Sequence, residues 1–223
     1  MRAAHPQLPL PVAAREARDF AAFVAGPNAE ALAAVRAAAP GVIYLWGAAG
    51  SGKTHLLQAA TASGVYLELS SGLPPEAVDG LDTRGLLALD AIETVAGSTP
   101  WEQALFALIN RVRDGGARLL LAGRAAPAAL PFGLPDLRSR ITGALVFGLK
   151  ALDDVAKREV LAGRARQRGL ELPPEVADYL MHHSGRELPA LLAALDTLDR
   201  AALSGQRRLT LTLARQTFAA RSA

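Results

Sequence analysis

The chain has no cysteine among its 223 residues. That excludes a disulfide framework and a thiolate metal site. It has no apolar run long enough to span a bilayer, and no signal-type hydrophobic stretch follows Arg2 near its start. A cytoplasmic protein with no membrane partner is the expectation. Lysine is scarce and no dense Lys/Arg block occurs, although the net charge is +3 and the pI about 9.7. Weak nucleic-acid association is therefore permitted but not required. No nucleophile–base pair of hydrolase type is visible. His182 and His183 lack neighbouring residues with metal-ligand spacing, so a solvated helix face is expected there. Against these absences stands a hydrophobic content of 51%, enough for a packed core and against general disorder.

The most informative stretch is Val42-Ile43-Tyr44-Leu45-Trp46 followed by Gly47-Ala48-Ala49-Gly50-Ser51-Gly52-Lys53-Thr54 and then His55-Leu56-Leu57. It reads as a buried strand, a glycine-rich loop and the start of a helix, with the spacing G-x-x-x-x-G-K-[ST] of a phosphate-binding loop. Gly47, Gly50 and Gly52 permit positive φ, so successive N–H groups can converge on an anion. The following helix adds its own unpaired N–H groups and dipole. In this pattern Lys53 reaches the β- and γ-phosphates and the Thr54 hydroxyl ligates Mg²⁺. The residues expected at the nucleotide are Gly47, Ala48, Ala49, Gly50, Ser51, Gly52, Lys53, Thr54 and His55. A second run, Leu86-Leu87-Ala88-Leu89-Asp90, places a carboxylate at the C-terminal end of a buried strand, where doubly wound sheets bind ligands. It reads as a Walker B strand with Asp90 beside the Mg²⁺.

Around these runs, strands and helices alternate. Strands are expected at 65–69, 118–123 and 144–149, and an amphipathic helix at 101–112, which argues for a parallel α/β sheet. Asn28 is the expected N-cap of a helix through Val35. Phe20 and Phe23 are expected to pack where the chain enters the domain. Beyond 149 the pattern turns helical at 153–168, 174–183 and 186–203. The 208–213 stretch reads either as a strand or as the opening of a last helix. Arg164, Arg166 and Arg168 are expected on a solvated face. The expected division is an extended tail at 1–14, an α/β nucleotide-binding domain at 15–150 and a small all-helical lid at 151–223. In the tail, Leu8 and Leu10 of Gln7-Leu8-Pro9-Leu10-Pro11 face one way in an extended chain, which suits docking into an apolar pocket, with Gln7 adding an amide contact. A frayed end is the other reading.

A phosphate-binding α/β domain followed by a helical lid is similar to the AAA+ layout. Ile43 to Trp46, the loop, His55 to Ala60, Phe23-Val24-Ala25-Gly26, Leu137-Arg138-Ser139-Arg140 and Gly185-Arg186-Glu187-Leu188 resemble the bacterial replication-initiator branch of AAA+ proteins. Within it the chain resembles the short DnaA-homologous regulators, the Hda family. That family has a Gln-Leu-x-Leu-Pro segment like Gln7 to Pro11, and lacks the helix-turn-helix domain that the initiator carries after its lid. The resemblance implies ADP or ATP with Mg²⁺ held by Thr54 and Asp90. It implies Arg140 as an arginine finger acting in trans, and Arg186 as a lid residue touching the β- or γ-phosphate. It implies as partners the DNA polymerase III sliding clamp, through Gln7, Leu8, Pro9, Leu10 and Pro11, and the initiator DnaA. DNA would be reached through the clamp, and a homo-oligomer is open. The implied function is negative regulation of replication initiation by stimulating hydrolysis of the ATP that DnaA holds.

Two positions depart from the AAA+ pattern. Ala91 stands where most AAA+ ATPases have a water-orienting Glu. Glu93 is two residues on and shares Ala91's face if the strand continues. Arg124 falls near the first sensor, where the initiator branch has an acid. Both weaken the expectation of self-catalysed hydrolysis and leave binding intact. The competing readings are a self-oligomerising AAA+ ATPase, such as a helicase loader or remodelling factor, and a nucleotide-stabilised DNA-binding adaptor.

Overall fold

Alternation along the strands decides which helices cover which face of the sheet. In a strand, successive side chains point to opposite sides. On β1 (Gly41–Trp46) Ile43 and Leu45 point one way and Tyr44 the other. On β3 (Leu86–Asp90) Leu87 and Leu89 oppose Ala88, and on β4 (Arg118–Gly123) Leu119 and Leu121 oppose Leu120 and Ala122. Both faces are apolar, so both must be covered. Tyr44, Leu87, Leu89, Leu119 and Leu121 pack in one cluster with α3 (Thr99–Asp114) and α4 (Pro135–Thr142). Ile43, Leu45, Ala88, Leu120 and Ala122 pack in another with α1 (Ala29–Arg36) and α2 (Lys53–Ala60). With β2 (Val65–Glu68) and β5 (Leu145–Gly148) the sheet has five strands in the order β2-β3-β4-β1-β5, every neighbouring pair parallel.

This computed structural model describes residues 19–37, 39–62, 64–205 and 208–219. The tail residues Gln7, Leu8, Pro9, Leu10 and Pro11 lie outside them. No helix among the described residues is long and apolar enough to cross a membrane.

The helices after β5 are α5 (Asp154–Gln167), α6 (Pro174–His183), α7 (Leu188–Gly205) and α8 (Leu211–Ala219). They share a core of their own, with Leu161, Leu180, Leu191, Leu195, Leu198 and Ala214 fully buried. The 208–213 stretch thus resolves as the entry to a helix. Thr210 caps it, its hydroxyl accepting from the Leu213 N–H at 3.2 Å. Asp153 caps α5 in the same way through the Ala156 N–H.

Two sequence readings change here. Asn28 precedes α1 but makes no side-chain cap bond. Its amide instead reaches Lys150, donating to the carbonyl at 3.0 Å and accepting from the N–H at 2.8 Å. Asn28 is 3% exposed, so this reciprocal pair ties the start of α1 to the segment between β5 and α5. The second change follows Asp90. The strand stops there, and Ala91 takes a left-handed conformation with φ 58°, the one non-glycine among the described residues with positive φ. A short 3-10 turn over Ile92–Thr94 follows, and it swings Glu93 around rather than extending the strand.

Glu102 on α3 holds the entry to α4. It is 2% exposed, and its carboxylate accepts from the Gly97, Gly133 and Leu134 N–H groups at 2.8, 3.0 and 2.6 Å. Removing it strands three backbone donors at once. Glu102→Ala is expected to lower unfolding stability by about 3 kcal/mol, measured by urea denaturation. A loss below about 0.5 kcal/mol would mean that these bonds do not anchor the segment.

Candidate functional site

In a parallel sheet every strand ends on the same side, and chemistry collects at that carboxyl edge. Here β1 ends in the glycine-rich loop, β3 in Asp90, and β4 in Gly123 with Arg124 next. These ends form the floor of a cavity of about 540 Å³. The lid closes it from above with Gly163 and Arg164 of α5 and with Leu188, Pro189 and Leu192 of α7. Phe23 and the residues around it form a side wall.

The loop has the backbone that its glycines permit: φ is 152° at Gly47, 76° at Gly50 and 99° at Gly52. At two of these positions space is also decisive. A Cβ on Gly50 would fall 2.4 Å from the Pro189 ring, and one on Gly52 would fall 2.7 Å from the Phe23 ring. The loop is therefore covered by the lid on one side and by an aromatic edge on the other. Ser51 and Lys53 are buried. The Lys53 ammonium donates to the carbonyls of Gly47 at 2.6 Å and Ala48 at 2.9 Å, and to Ser51 Oγ at 3.4 Å. Burial lowers its pKa, with Asp90 and Glu93 pulling it back up and Arg124 adding to the fall. A buried cation on a glycine-rich loop suits an anion. His55 begins the helical wall, its Nε2 2.8 Å from the Asp19 carbonyl and its ring edge-on to Phe23 at 5.4 Å.

Thr54 and Asp90 are brought together. The Thr54 hydroxyl donates to Asp90 Oδ2 at 2.6 Å, and the Tyr66 hydroxyl donates to the same oxygen at 3.1 Å. Asp90 Oδ1 accepts from the Ala91 N–H at 2.8 Å. Burial and the Asp90 charge raise the Tyr66 pKa, which keeps it a donor. A hydroxyl and a carboxylate side by side are hard oxygen donors of the kind Mg²⁺ takes. No group of three or more His, Cys, Asp or Glu side chains that could hold a metal occurs among the described residues, and one hydroxyl with one carboxylate suits an ion whose remaining ligands are phosphate oxygens and water.

The loop, Thr54, His55 and Asp90 thus converge, but the two arginines singled out from the sequence do not join them. Arg140 lies on α4, whose Leu137 and Ile141 are buried while Arg138 and Arg140 face outward. Arg138 donates to the Phe132 carbonyl, whereas Arg140 has no hydrogen bond or ion pair among the described residues. Arg140 is outside the wall of its own subunit's cavity. Arg186 is exposed in the bend before α7 and is not a wall residue either. The lid arginines in the wall are Arg164 and Arg166. Of the three arginines read as solvated, Arg166 is exposed, whereas Arg164 is half-buried and Arg168 is pinned to Asp196 at 2.7 Å and Asp199 at 3.0 Å. His182 and His183 are exposed and spend their Nδ1 atoms on the carbonyls one turn earlier.

Sequence reasoning missed Pro189 as a cover over Gly50, and Tyr66 as a partner of Asp90. It also misplaced Glu93, which lines the cavity and meets Arg124 there: Arg124 Nε lies 3.2 Å from Glu93 Oε1, and the Arg124 N–H donates to Oε2 at 3.2 Å. The available signal was the departure of Ala91 and Arg124 from the expected residue types. Two unusual positions at neighbouring strand ends mark a rewired contact.

Comparison with known proteins bears on the fold and the lid. Residues 154–218 match the family model described as Hda, lid domain. Among solved structures, domain III of the replication initiation protein DnaA from Thermotoga maritima is 23% identical, over 90% of this chain and 95% of that one, with a TM-score of 0.76. AMPPCP-bound DnaA from Aquifex aeolicus is 23% identical over 78% of this chain and 63% of that one, with a TM-score of 0.63. The RuvB Holliday junction branch migration motor of Thermotoga maritima is 16% identical over 92% of this chain and 72% of that one, with a TM-score of 0.69. The fold is AAA+: a parallel five-stranded sheet flanked by helices and followed by a helical lid.

Proposed function

We propose that this Hda-like AAA+ chain, a DnaA-type fold carrying an Hda lid domain, is a nucleotide-bound regulator that lends an arginine to the ATP site of the initiator DnaA. The nucleotide-binding domain spans 15–150 and the lid 151–223. An adenine nucleotide, ADP or ATP, sits between them on Gly47 to Thr54, with Mg²⁺ against Thr54 and Asp90. The AMPPCP held by the DnaA of Aquifex aeolicus supports that ligand class. Bound nucleotide bridges the loop to Pro189 and Leu188 of α7 and so sets the angle of the lid.

The observation that carries the reading is the placement of Arg140. It is exposed on a short helix anchored by Leu137 and Ile141, outside the wall of its own cavity and without a partner among the described residues. A planar guanidinium in that position suits charge building on a phosphoryl group held by another subunit. Arg186, which is not a wall residue, is assigned the lid contact to the β- or γ-phosphate as part of this reading.

Gln7 to Pro11 bring the regulator to DNA by docking on the sliding clamp, which makes the DNA contact indirect. The protein works in the cytoplasm, at the nucleoid. The test is capture of purified chain by the immobilised polymerase III clamp. Gln7→Ala with Leu8→Ala is expected to lower the retained fraction at least tenfold, because the two carry the amide contact and one of the two apolar anchors. Retention equal to that of the unaltered chain would remove the clamp from the proposal.

A further inference from the structure

At the amino edge of the sheet, opposite the nucleotide cavity, lies a second cavity of about 390 Å³. The end of α1 and the entries to β3 and β4 build its wall, which holds Arg36, Arg84 and Arg118. No Asp or Glu lines it among the described residues. Arg118 opens β4 and is 8% exposed. A buried charge is costly unless a counter-charge meets it. Here Nη2 donates to the carbonyls of Ala34, at 3.2 Å, and Val35, while Nε is buried with no hydrogen-bond partner. Carbonyls at a helix end supply only part of a negative charge. Burial lowers the Arg118 pKa, and no carboxylate raises it again. Arg36, in the last turn of α1, is exposed and stands 5.8 Å above the centre of the Phe20 ring. Arg84 is held by Asp82 at 2.9 Å, in a pair whose side chains are 90% and 57% exposed and which water weakens. The mouth is open, since a Cβ on Gly85 or Gly116 would meet nothing within 4 Å.

We propose that this cavity is a second anion site, which takes a small organic phosphate between Arg36 and Arg118. The fold gathers cations of one sign around a concave wall, and a bound dianion removes their mutual repulsion. Guanidinium forks match phosphate oxygens, and Arg36 is exposed and free to turn toward them. Arg84 adds its charge at the rim while Asp82 holds it. The rest of the wall is apolar: Phe20, Val35 and Leu86 face the same space. A few cations set in an apolar wall suit a ligand with a charged head and an apolar or planar body. The chain's own first 18 residues do not fit as occupant on charge, because they carry Arg2, Arg15 and Arg18 against Glu16 alone. The site shares no wall residue with the nucleotide cavity, so it stands independently of the nucleotide-binding reading.

The probe is phenyl phosphate, titrated into the full chain and followed by calorimetry and by phosphorus NMR. Saturable binding with a Kd of roughly 1 mM or tighter is expected. Arg36→Gln is expected to weaken it about tenfold, since a charge-assisted contact is lost, and to leave ADP affinity unchanged. Arg118→Gln is expected to weaken it by at least as much. Because Arg118 also holds the end of α1, that variant is checked by circular dichroism, and the exposed Arg36 carries the test if it fails to fold. Lys53→Ala is expected to bind phenyl phosphate as the unaltered chain does. Inorganic phosphate is expected to bind about fivefold more weakly, for want of the apolar body, and phenol not to bind. No saturable binding up to about 10 mM overturns the site, and so does an affinity unchanged within twofold in Arg36→Gln. Loss of binding in Lys53→Ala overturns it too, because the probe then occupies the nucleotide cavity. Inorganic phosphate binding as tightly as phenyl phosphate overturns the organic ligand. A DNA oligonucleotide that binds in an Arg36-dependent way where phenyl phosphate does not would replace the small ligand by a nucleic-acid backbone, and so overturn the proposal.

Discussion

Arg140→Ala is expected to abolish stimulation of ATP hydrolysis by DnaA while leaving this chain's own nucleotide affinity unchanged. The size of the effect follows from the chemistry. An arginine finger neutralises charge on the transferring phosphoryl group and contributes on the order of 10³–10⁵ in rate when supplied in trans. The selectivity follows from geometry, because Arg140 lies outside the wall of its own cavity. Two companions sharpen the measurement. Arg140→Lys keeps the charge but loses the planar fork and is expected to recover only a small part of the rate. Arg138→Ala removes a donor to the Phe132 carbonyl, so its expected effect is on the stability of the α4 entry rather than on rate alone. The assay is single-turnover hydrolysis of DnaA-bound ATP with DNA-loaded clamp. Full stimulation by the Arg140→Ala protein would sink the finger. Substantial turnover by the isolated chain, lost on Lys53→Ala, would favour the self-acting ATPase instead.

Lys53→Ala is expected to weaken ADP binding by at least about a hundredfold. Charge-assisted hydrogen bonds contribute about 1.5–3 kcal/mol each, and every 1.4 kcal/mol or so is tenfold in affinity. Lys53 offers such bonds from a buried position where water competes poorly, and burial already lowers its pKa. Its present partners are the Gly47 and Ala48 carbonyls and Ser51 Oγ, all within the loop. The substitution therefore disturbs the loop and not the sheet beneath it. Circular dichroism of the variant is expected to match that of the unaltered chain. The thermal shift that saturating ADP gives the unaltered chain is expected to vanish in the variant, since that shift is set by the ratio of ligand to Kd. An affinity within threefold of the unaltered value would mean that the loop does not bind phosphate through Lys53.

Much of this molecule is legible along the chain, and particular elements say why. The run Leu86-Leu87-Ala88-Leu89-Asp90 reads as a buried strand delivering a carboxylate because both faces of a parallel sheet are covered. The structure has that strand with Asp90 at its end. The positive φ values of the loop follow from its glycines. The helix over 174–183 follows from its proline start and apolar spacing, and α6 has those bounds. What misled was continuity. Extending β3 beyond Asp90 put Glu93 beside Ala91 on a strand face, but a left-handed alanine ends the strand there. An alanine costs about 1–2 kcal/mol in that conformation, so nothing local announces it. Asn28 misled in the same way. Its residue type suits a cap, yet its amide is claimed by Lys150, which only the closed fold brings near.

The sequence by itself determined the phosphate-binding loop, the strand that carries Asp90, the alternation of strands and helices and the helical character of the lid. Each of these is written in residue types a few positions apart, where steric preference and hydrophobic period act directly. Only the tertiary structure decided that Glu93 meets Arg124, that Tyr66 shares Asp90 with Thr54, that Pro189 covers Gly50, and that Arg138 is spent on Phe132 while Arg140 stays outward. Most of these contacts join residues that are far apart along the chain, on different strands or on the sheet and the lid. They exist because the order β2-β3-β4-β1-β5 sets particular strand ends side by side, and that order is a property of the whole packed chain.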